Sequence, residues 1–310
     1  EGVSACIVCG AVGAPSAVDR VPDYVTGERF RVVRCRRCGF ARTEPVPASL
    51  DRYYKQRYRR FNPLAALVLR WSYRRRIDGW LARLPRTGRA LEIGAGSGWM
   101  LRALRERGWQ AVGTERTAEA ALAAADASGA TVHAADLDTL MDDAPFDLIV
   151  MFHVLEHLED PIGTLQSAAA RLRPGGTLIL GLPNIASWQA RATGRHWMHL
   201  DVPRHLCHFS PQTMRMALAK TGFDLTSIDF RSYEHDPLGW TQSLLDALGF
   251  EQGVVLKRLI GLSERRGSAV ATVLAFGLAV PLTILGFALA VVSWQARAGA
   301  VMQVWAVRRA

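Results

Sequence analysis

Four cysteines fall in two pairs, Cys6-x-x-Cys9 and Cys35-x-x-Cys38, each followed directly by a glycine, Gly10 or Gly39. A C-x-x-C pair offers two thiolates from one tight turn, and two such knuckles about twenty-five residues apart close a tetrahedral zinc site. With four protein ligands no position is open to substrate, so Cys6, Cys9, Cys35 and Cys38 read as a structural zinc ribbon. The fifth cysteine, Cys207, has no such companion and reads as a buried or half-buried thiol.

A second group lies in Arg89 to Leu101, R-A-L-E-I-G-A-G-S-G-W-M-L. A short apolar run stops at Gly94, Gly96 and Gly98, and a new apolar pattern starts at Trp99. That is a buried strand, a glycine turn and a helix start. Glycine lets the backbone turn sharply and approach a ligand, and the free N–H groups of the helix point into the same crevice. Glu115, at the tip of the next short strand, is placed to accept both hydroxyls of a ribose. A dehydrogenase would use the same pair of features, so they do not separate the two chemistries. The third group is histidine-rich: His196, His199, His205 and His208 fall between Arg195 and Ser210. Imidazoles titrate near neutrality and serve as general bases or metal ligands; the spacings here do not make a standard zinc set.

The elements that position these groups alternate. Apolar strands at 111–114, 131–134, 146–152, 177–182 and 223–230 are separated by helical patterns, and Ser210-Pro211 supplies an N-cap and first-turn proline for a helix to Lys220. Such alternation means parallel strands with right-handed crossovers, and ligands beyond the strands' carboxyl ends. The glycines, Glu115, Asp136 and His153 fall at those ends.

On L-E-I-G-A-G-S-G at 91–98, H-V-L-E-H-L-E-D-P at 153–161 and L-R-P-G-G at 172–176, the chain resembles the class I S-adenosylmethionine-dependent methyltransferases. The likeness runs motif by motif from Arg89 to Asn184. It implies an α/β fold, a doubly wound seven-stranded Rossmann-like sheet. Its last strand, here 300–307, would return antiparallel between the fifth and sixth. It also implies roles: Glu92 and the loop Gly94, Ala95, Gly96 and Gly98 for the methionine end of S-adenosylmethionine, Glu115 for the ribose, Asp136 and Leu137 for the adenine. His153 would close over the cofactor near the methyl group. Similar methyltransferases place a D-x-P-R-H-L-x-H-F-S stretch in the acceptor wall. That makes His205 the first candidate general base, with His199 and Asp201 behind it.

The chain has 310 residues and a net charge of +10. Arginines crowd 57–76 and recur at Arg34 to Arg37, Arg265/Arg266 and Arg308/Arg309, as suits an anionic partner or simply a solvated basic surface. No apolar signal-peptide core opens the sequence. Pro45 and Pro47 mark a connector, followed by a helical pattern through Tyr53, Tyr54, Tyr58 and Phe61 that Asn62-Pro63 breaks in two. From Ser268 to Gln295 there is no charged residue, enough to cross a bilayer. Both flanks are basic, and the last strand requires the chain to come back. The expectation is therefore a re-entrant or monotopic helical hairpin bent near Pro281, preceded by an amphipathic helix over 239–262. A packed or dimer-forming helix pair and a full span are the alternatives.

These readings divide the chain into a zinc ribbon (1–44), a linker with basic amphipathic helices (45–86), a methyltransferase domain (87–238 and 298–310) and a membrane-facing helical insertion (239–297). The expected activity is methyl transfer to a lipid or lipid-linked acceptor: a glycolipid, a polyprenyl-linked sugar or a quinone-like ring. It would take place on the anionic, cytoplasmic side of the inner membrane, by a monotopic or peripheral protein. A soluble sugar-nucleotide C- or O-methyltransferase is one alternative. A zinc-ribbon nucleic-acid binder is another, although neither a ribbon array nor an aromatic stacking platform supports a nucleic-acid partner.

Overall fold

The computed structural model describes residues 5–53, 63–84, 87–140, 145–259 and 269–310. Tyr54, Arg57, Tyr58, Phe61, the break at Asn62, Arg265 and Arg266 lie outside the described residues. A ribbon of three strands, β1 (Ser16–Pro22), β2 (Arg29–Arg34) and β3 (Ala41–Glu44), leads through α1 (Pro63–Leu81) to the alternation. This runs β4 (Arg89–Ile93), α2 (Trp99–Arg105), β5 (Gln110–Glu115), α3 (Ala118–Ser128), β6 (Thr131–Ala134), β7 (Phe146–Phe152), α4 (Pro161–Arg171) and β8 (Leu172–Pro183). Then come α5 (Trp188–Thr193), β9 (Cys207–His208), α6 (Pro211–Lys220), β10 (Phe223–Asp229), α7 (Asp236–Ala247), α8 (Val254–Leu259), α9 (Ala269–Gln295) and β11 (Val301–Arg308).

Seven strands form one sheet in the order β10-β11-β8-β7-β4-β5-β6, with β11 antiparallel to both neighbours, as expected. The strand order reverses between β4 and β7, which opens the crevice where such sheets bind ligands. Successive residues of each strand serve opposite layers. Ala90, Leu148, Val150, Ile179 and Trp305 pack with Ile77 and Trp80 of α1 and Met100, Leu101 and Leu104 of α2. Leu91, Ile149, Met151, Leu178, Leu180 and Val304 pack with Leu165 of α4 and Met214 and Leu218 of α6. Asp160 caps α4 with Pro161 in its first turn, and Ser210 with Thr213 forms a capping box on α6.

A second sheet has the order β1-β2-β3-β9. Its fourth strand comes from the histidine segment, Ala41 pairing with His208 and Arg42 with Cys207. A ribbon this small buries little apolar surface of its own. It is completed by docking: Phe40 packs on Phe209 at 5.0 Å between ring centroids, in the core layer that contains Leu206 and Met214.

Two expectations for the C-terminal region are corrected. The stretch 239–262 is not one helix: α7 ends at Ala247, and a turn that leaves Leu248 exposed separates it from α8. Nor is the apolar run a bent hairpin. It is a single helix, α9, with Pro281 inside it. Proline costs one backbone bond there, but the run has no cluster of turn-forming residues to reverse the chain. A stripe of Ala275, Ala279, Leu282, Gly286, Ala290 and Ser293 recurs every three or four residues and packs inward. Gly286 lies where a Cβ would meet Pro237 O at 2.9 Å and Trp240 Cβ at 3.0 Å, so α7 and α9 approach closely there.

Candidate active site

The donor side is built by β4, β5 and the loop between β4 and α2. The N–H groups of Gly94 and Ala95 both donate to Thr114 O at 3.0 Å, pinning the loop to β5. Gly94, Gly96 and Gly98 all have left-handed backbone, with φ of 70, 54 and 70°. At Gly98 a Cβ would lie 2.6 Å from Ala124 O, and at Gly94 it would lie 2.6 Å from Val154 Cγ2. Gly96 differs: among the described residues nothing but the loop's own Gly94 O comes within 4 Å of that position, which leaves room for a ligand. Gly98 offers no side chain to cap α2. Buried Glu92 reaches the Leu101 N–H instead. Burial, reinforced by Glu115, pushes its carboxyl well above the usual range, and its Oε2 has no hydrogen-bond partner among the described residues. Glu115 Oε1 accepts from Gly96 N at 2.6 Å. Asp136 is exposed beyond β6, next to buried Leu137. These residues fit S-adenosylmethionine: an open glycine face, an acid at the β5 tip and a buried carboxylate with an unused acceptor.

The acceptor side is assembled from three segments. His153 follows β7 with φ of 55°, a costly conformation for a side-chain-bearing residue, and its Nδ1 lies 2.9 Å from Glu156 Oε1. His205 Nδ1 lies 2.9 Å from the carbonyl oxygen of His199. A carbonyl only accepts, so Nδ1 carries a proton, and in the neutral ring the lone pair is then on Nε2. That Nε2 is 3.8 Å from Asp201 Oδ2 and 4.0 Å from Glu156 Oε1. Burial alone would raise Asp201, but Arg204 and His205 outweigh it and hold the carboxyl at about 2. Glu156, His157 and His205 bring one donor atom each within 4.8 Å of one another, a spacing that a divalent cation would also fit. The His199 ring lies 6.3 Å from that of His235 and 5.6 Å from that of Trp197. Burial, then the imidazoles of His235 and His153, holds it well below the usual histidine range. Burial likewise drops His208 to about 3. Cys207 is buried, its thiol pushed up to about 12.

The four ribbon cysteines converge. Cys6 and Cys38 sulfurs are 3.7 Å apart, as are those of Cys9 and Cys35, and all four lie within 4.8 Å of one another. Tetrahedral thiolates around zinc at about 2.3 Å stand roughly 3.8 Å apart, so the set fits the ion. Each knuckle closes by a glycine N–H, Gly10 to Cys6 O at 2.8 Å and Gly39 to Cys35 O at 2.9 Å.

A family model described as a methyltransferase domain matches residues 57–228, more than half of the chain. The chain belongs to this methyltransferase family. Among curated proteins it is similar to the ubiquinone biosynthesis O-methyltransferase of Cereibacter sphaeroides (strain ATCC 17025 / ATH 2.4.3). The two are 27% identical over 178 residues, 53% of this chain and 71% of that protein. The enzyme of the same name from Idiomarina loihiensis is 31% identical over 109 residues, 32% of this chain and 45% of its own length. Among solved structures, a SAM-dependent methyltransferase from Archaeoglobus fulgidus matches 77% of this chain and 94% of its own, at 18% identity and a TM-score of 0.48. This chain is a SAM-dependent methyltransferase.

The methyltransferase site contains groups that sequence reading did not single out. Glu234 forms a buried ion pair with Arg76, accepts from Ser72 Oγ at 2.9 Å and lies 3.3 Å from His235 Nδ1. Burial raises its carboxyl, but His235 and Arg76 pull it below the usual range. The pair joins α1 to the start of α7. Arg76 also lies over Phe152, and Phe152 contacts His153, so α1 closes the site from above β7. Glu156 and His157 stood inside the quoted fourth-strand motif, and that motif was the available signal. Arg76 fell within the arginine cluster at 57–76, read there as solvated or facing an anion; its buried pairing with Glu234, 158 residues away, gave no sequence signal.

Proposed function

We propose that this methyltransferase transfers a methyl group to a hydroxyl on a lipid or lipid-linked acceptor, working monotopically on the anionic, cytoplasmic face of a membrane. The names of the similar proteins favour a quinone-like ring over a glycolipid or polyprenyl-linked sugar. S-adenosylmethionine supplies a methyl on a sulfonium whose charge disappears as the methyl leaves. Glu92, Gly94, Ala95, Gly96 and Gly98 would hold its amino-acid end, Glu115 the ribose, and Asp136 and Leu137 the adenine. His153, braced by Glu156, would border the methyl group. His205 Nε2 takes the proton of the acceptor hydroxyl, and the carboxylates of Asp201 and Glu156 stabilise the imidazolium that results. Positioning does most of the remaining work.

The observation that carries the membrane reading is where α9 lies and what it exposes. Opposite its packed stripe, Val270, Val273, Val280 and Ile284 are 66–70% exposed, a contiguous apolar face. Its far end is tied to the site: Trp294 Nε1 donates to Asp236 Oδ2 at 2.7 Å, and β11 then begins beside Pro183, at the carboxyl rim of the sheet. At about 1.5 Å per residue α9 is long enough to span. Its inner face, however, is docked along α7 and α8, and Arg258 lies over Phe276, well inside the helix. A span would carry that arginine and the buried polar groups of α7 into hydrocarbon, so lying in the interface is the cheaper arrangement.

The test is transfer of labelled methyl from S-adenosylmethionine into a cell extract that is then split into lipid and aqueous phases. Label in the lipid phase, lost in H205A, is expected. Label confined to the aqueous phase would overturn the lipid acceptor and favour a soluble sugar nucleotide.

A further inference from the structure

The segment that carries His205 is held between the ribbon and the methyltransferase core. Thr43, on β3 and five residues beyond the zinc ligand Cys38, is fully buried. Its N–H donates to Leu206 O at 3.0 Å and its hydroxyl donates to His205 O at 2.6 Å. The same hydroxyl lies 3.0 Å from His208 Nε2; with its proton spent on the carbonyl, it accepts there. Thr43 thus grips three residues of the histidine segment, just where β9 completes the ribbon sheet. A second grip comes from the β1–β2 turn, whose Asp23 pairs with Arg204 at 2.9 Å. The methyltransferase core holds the other side of this stretch: Leu206 N donates to Glu156 O at 2.8 Å, Ile185 N to Phe209 O at 2.9 Å, and His157 Nδ1 to Arg204 O at 2.9 Å.

We infer that the ribbon forms part of the acceptor half of the site, and that Thr43 is the positioning residue for His205. The inference rests on the reading of His205 as the base. Zinc closes the knuckles, the closed knuckle sets the path of β3, and β3 sets the backbone at His205. The ribbon therefore acts on methyl transfer without touching the donor. The donor-side residues stand elsewhere: Glu115 ends β5, and Gly96 and Asp136 follow β4 and β6, at the other side of the sheet.

The test uses the full, zinc-loaded chain with three variants, T43V, T43S and H205A. Valine keeps the shape of threonine and removes only the hydroxyl; serine restores it. The readouts are labelled methyl incorporated into a total lipid extract, S-adenosylmethionine affinity by calorimetry, and amide exchange across 203–209. T43V should lower kcat at least tenfold, since a misplacement of about 1 Å costs on the order of a hundredfold. Cofactor affinity should stay within twofold, and T43S should recover most of the rate. Exchange at 205–208 should quicken in T43V and in zinc-stripped protein, while β4 and β7 stay protected. Wild-type kcat in T43V alongside a strong loss in H205A overturns this inference alone. Unchanged turnover in H205A overturns the base reading on which it stands. Equal loss of cofactor affinity and rate in T43V would mean general destabilisation and also overturns it.

Discussion

Arg204 is the side chain whose loss should be felt most. It is fully buried, Nε donates to Asp201 Oδ1 at 2.8 Å, and Nη1 donates to Tyr53 O at 3.0 Å. Nη2 lies 2.6 Å from Asp201 and 2.9 Å from Asp23, whose side chain is also fully buried. The guanidinium stacks 4.3 Å over Tyr24. R204M keeps the bulk but strands two carboxylates without their cation. Breaking a buried pair in this way costs about 3–5 kcal/mol, a large part of the 5–15 kcal/mol that holds a domain together. Urea unfolding followed by tryptophan fluorescence measures it, and the triple variant R204M/D23N/D201N should recover about half, because nothing charged is then left buried there. The pH dependence gives a second handle. Asp201 is held at about 2, below its unfolded value, so its contribution is present above pH 4 and is lost as pH falls through 2. That contribution is on the order of 2 kcal/mol. R204M should abolish it and shift acid unfolding to higher pH. A loss under about 1 kcal/mol, or a triple variant no better than R204M, would refute the assignment of Arg204 as the clamp between ribbon and histidine segment.

The glycine loop makes a paired prediction. G96A should leave stability within about 1 kcal/mol, the strain of left-handed alanine, yet weaken S-adenosylmethionine binding by at least about tenfold, read by calorimetry, because its Cβ would enter the ligand's space. G98A should cost about 2–4 kcal/mol, since strain and a clash with the Ala124 carbonyl combine, and equal effects of the two substitutions would sink the distinction. Asp246 is raised to about 7 by burial, against hydrogen bonds from Gly253 N and Gln242. A raised carboxyl favours the folded state fully below pH 4 and loses that favour as pH rises through 7. Asp236, also raised to about 7, and Glu92, raised well above the usual range, act in the same direction, while the buried neutral His199 and His208 act against them as pH rises through the ordinary histidine range. D246N should therefore gain stability relative to wild type between pH 5 and 8. An unaltered pH slope in D246N would show that Asp246 is not among the groups responsible.

Hydropathy found the apolar run at 268–295 but not its shape, because a hairpin and a straight helix satisfy the same composition. The small residues Ala275, Ala279, Gly286 and Ala290 at helical spacing were the better signal. A single packed stripe over that length belongs to one helix docked along one side, whereas two antiparallel arms would each need their own stripe. The sheet was legible for the opposite reason. Each strand carries its own apolar run and each turn its own glycine or proline, so alternation predicts the order of elements before any of them meet. The antiparallel last strand followed from the family likeness, and its register with β8 and β10 bears that out.

The two halves of the site differ in the same way. Everything on the donor side is local: a strand, the loop that ends it, and the tips of two neighbouring strands, all between Glu92 and Leu137. Such a site is encoded by short spacings, and short spacings survive in a sequence. The acceptor side is not local. His205 takes its tautomer from the His199 carbonyl, its electrostatic partners from Asp201 and Glu156, and its backbone position from Thr43, 162 residues away. His208, a reasonable candidate base by type, is instead consumed in holding the ribbon, buried and neutral against the same Thr43 hydroxyl. No spacing rule distinguishes those two histidines, because the strand that separates their fates is only two residues long. What decides between them is which one β3 covers, a property of the assembled ribbon.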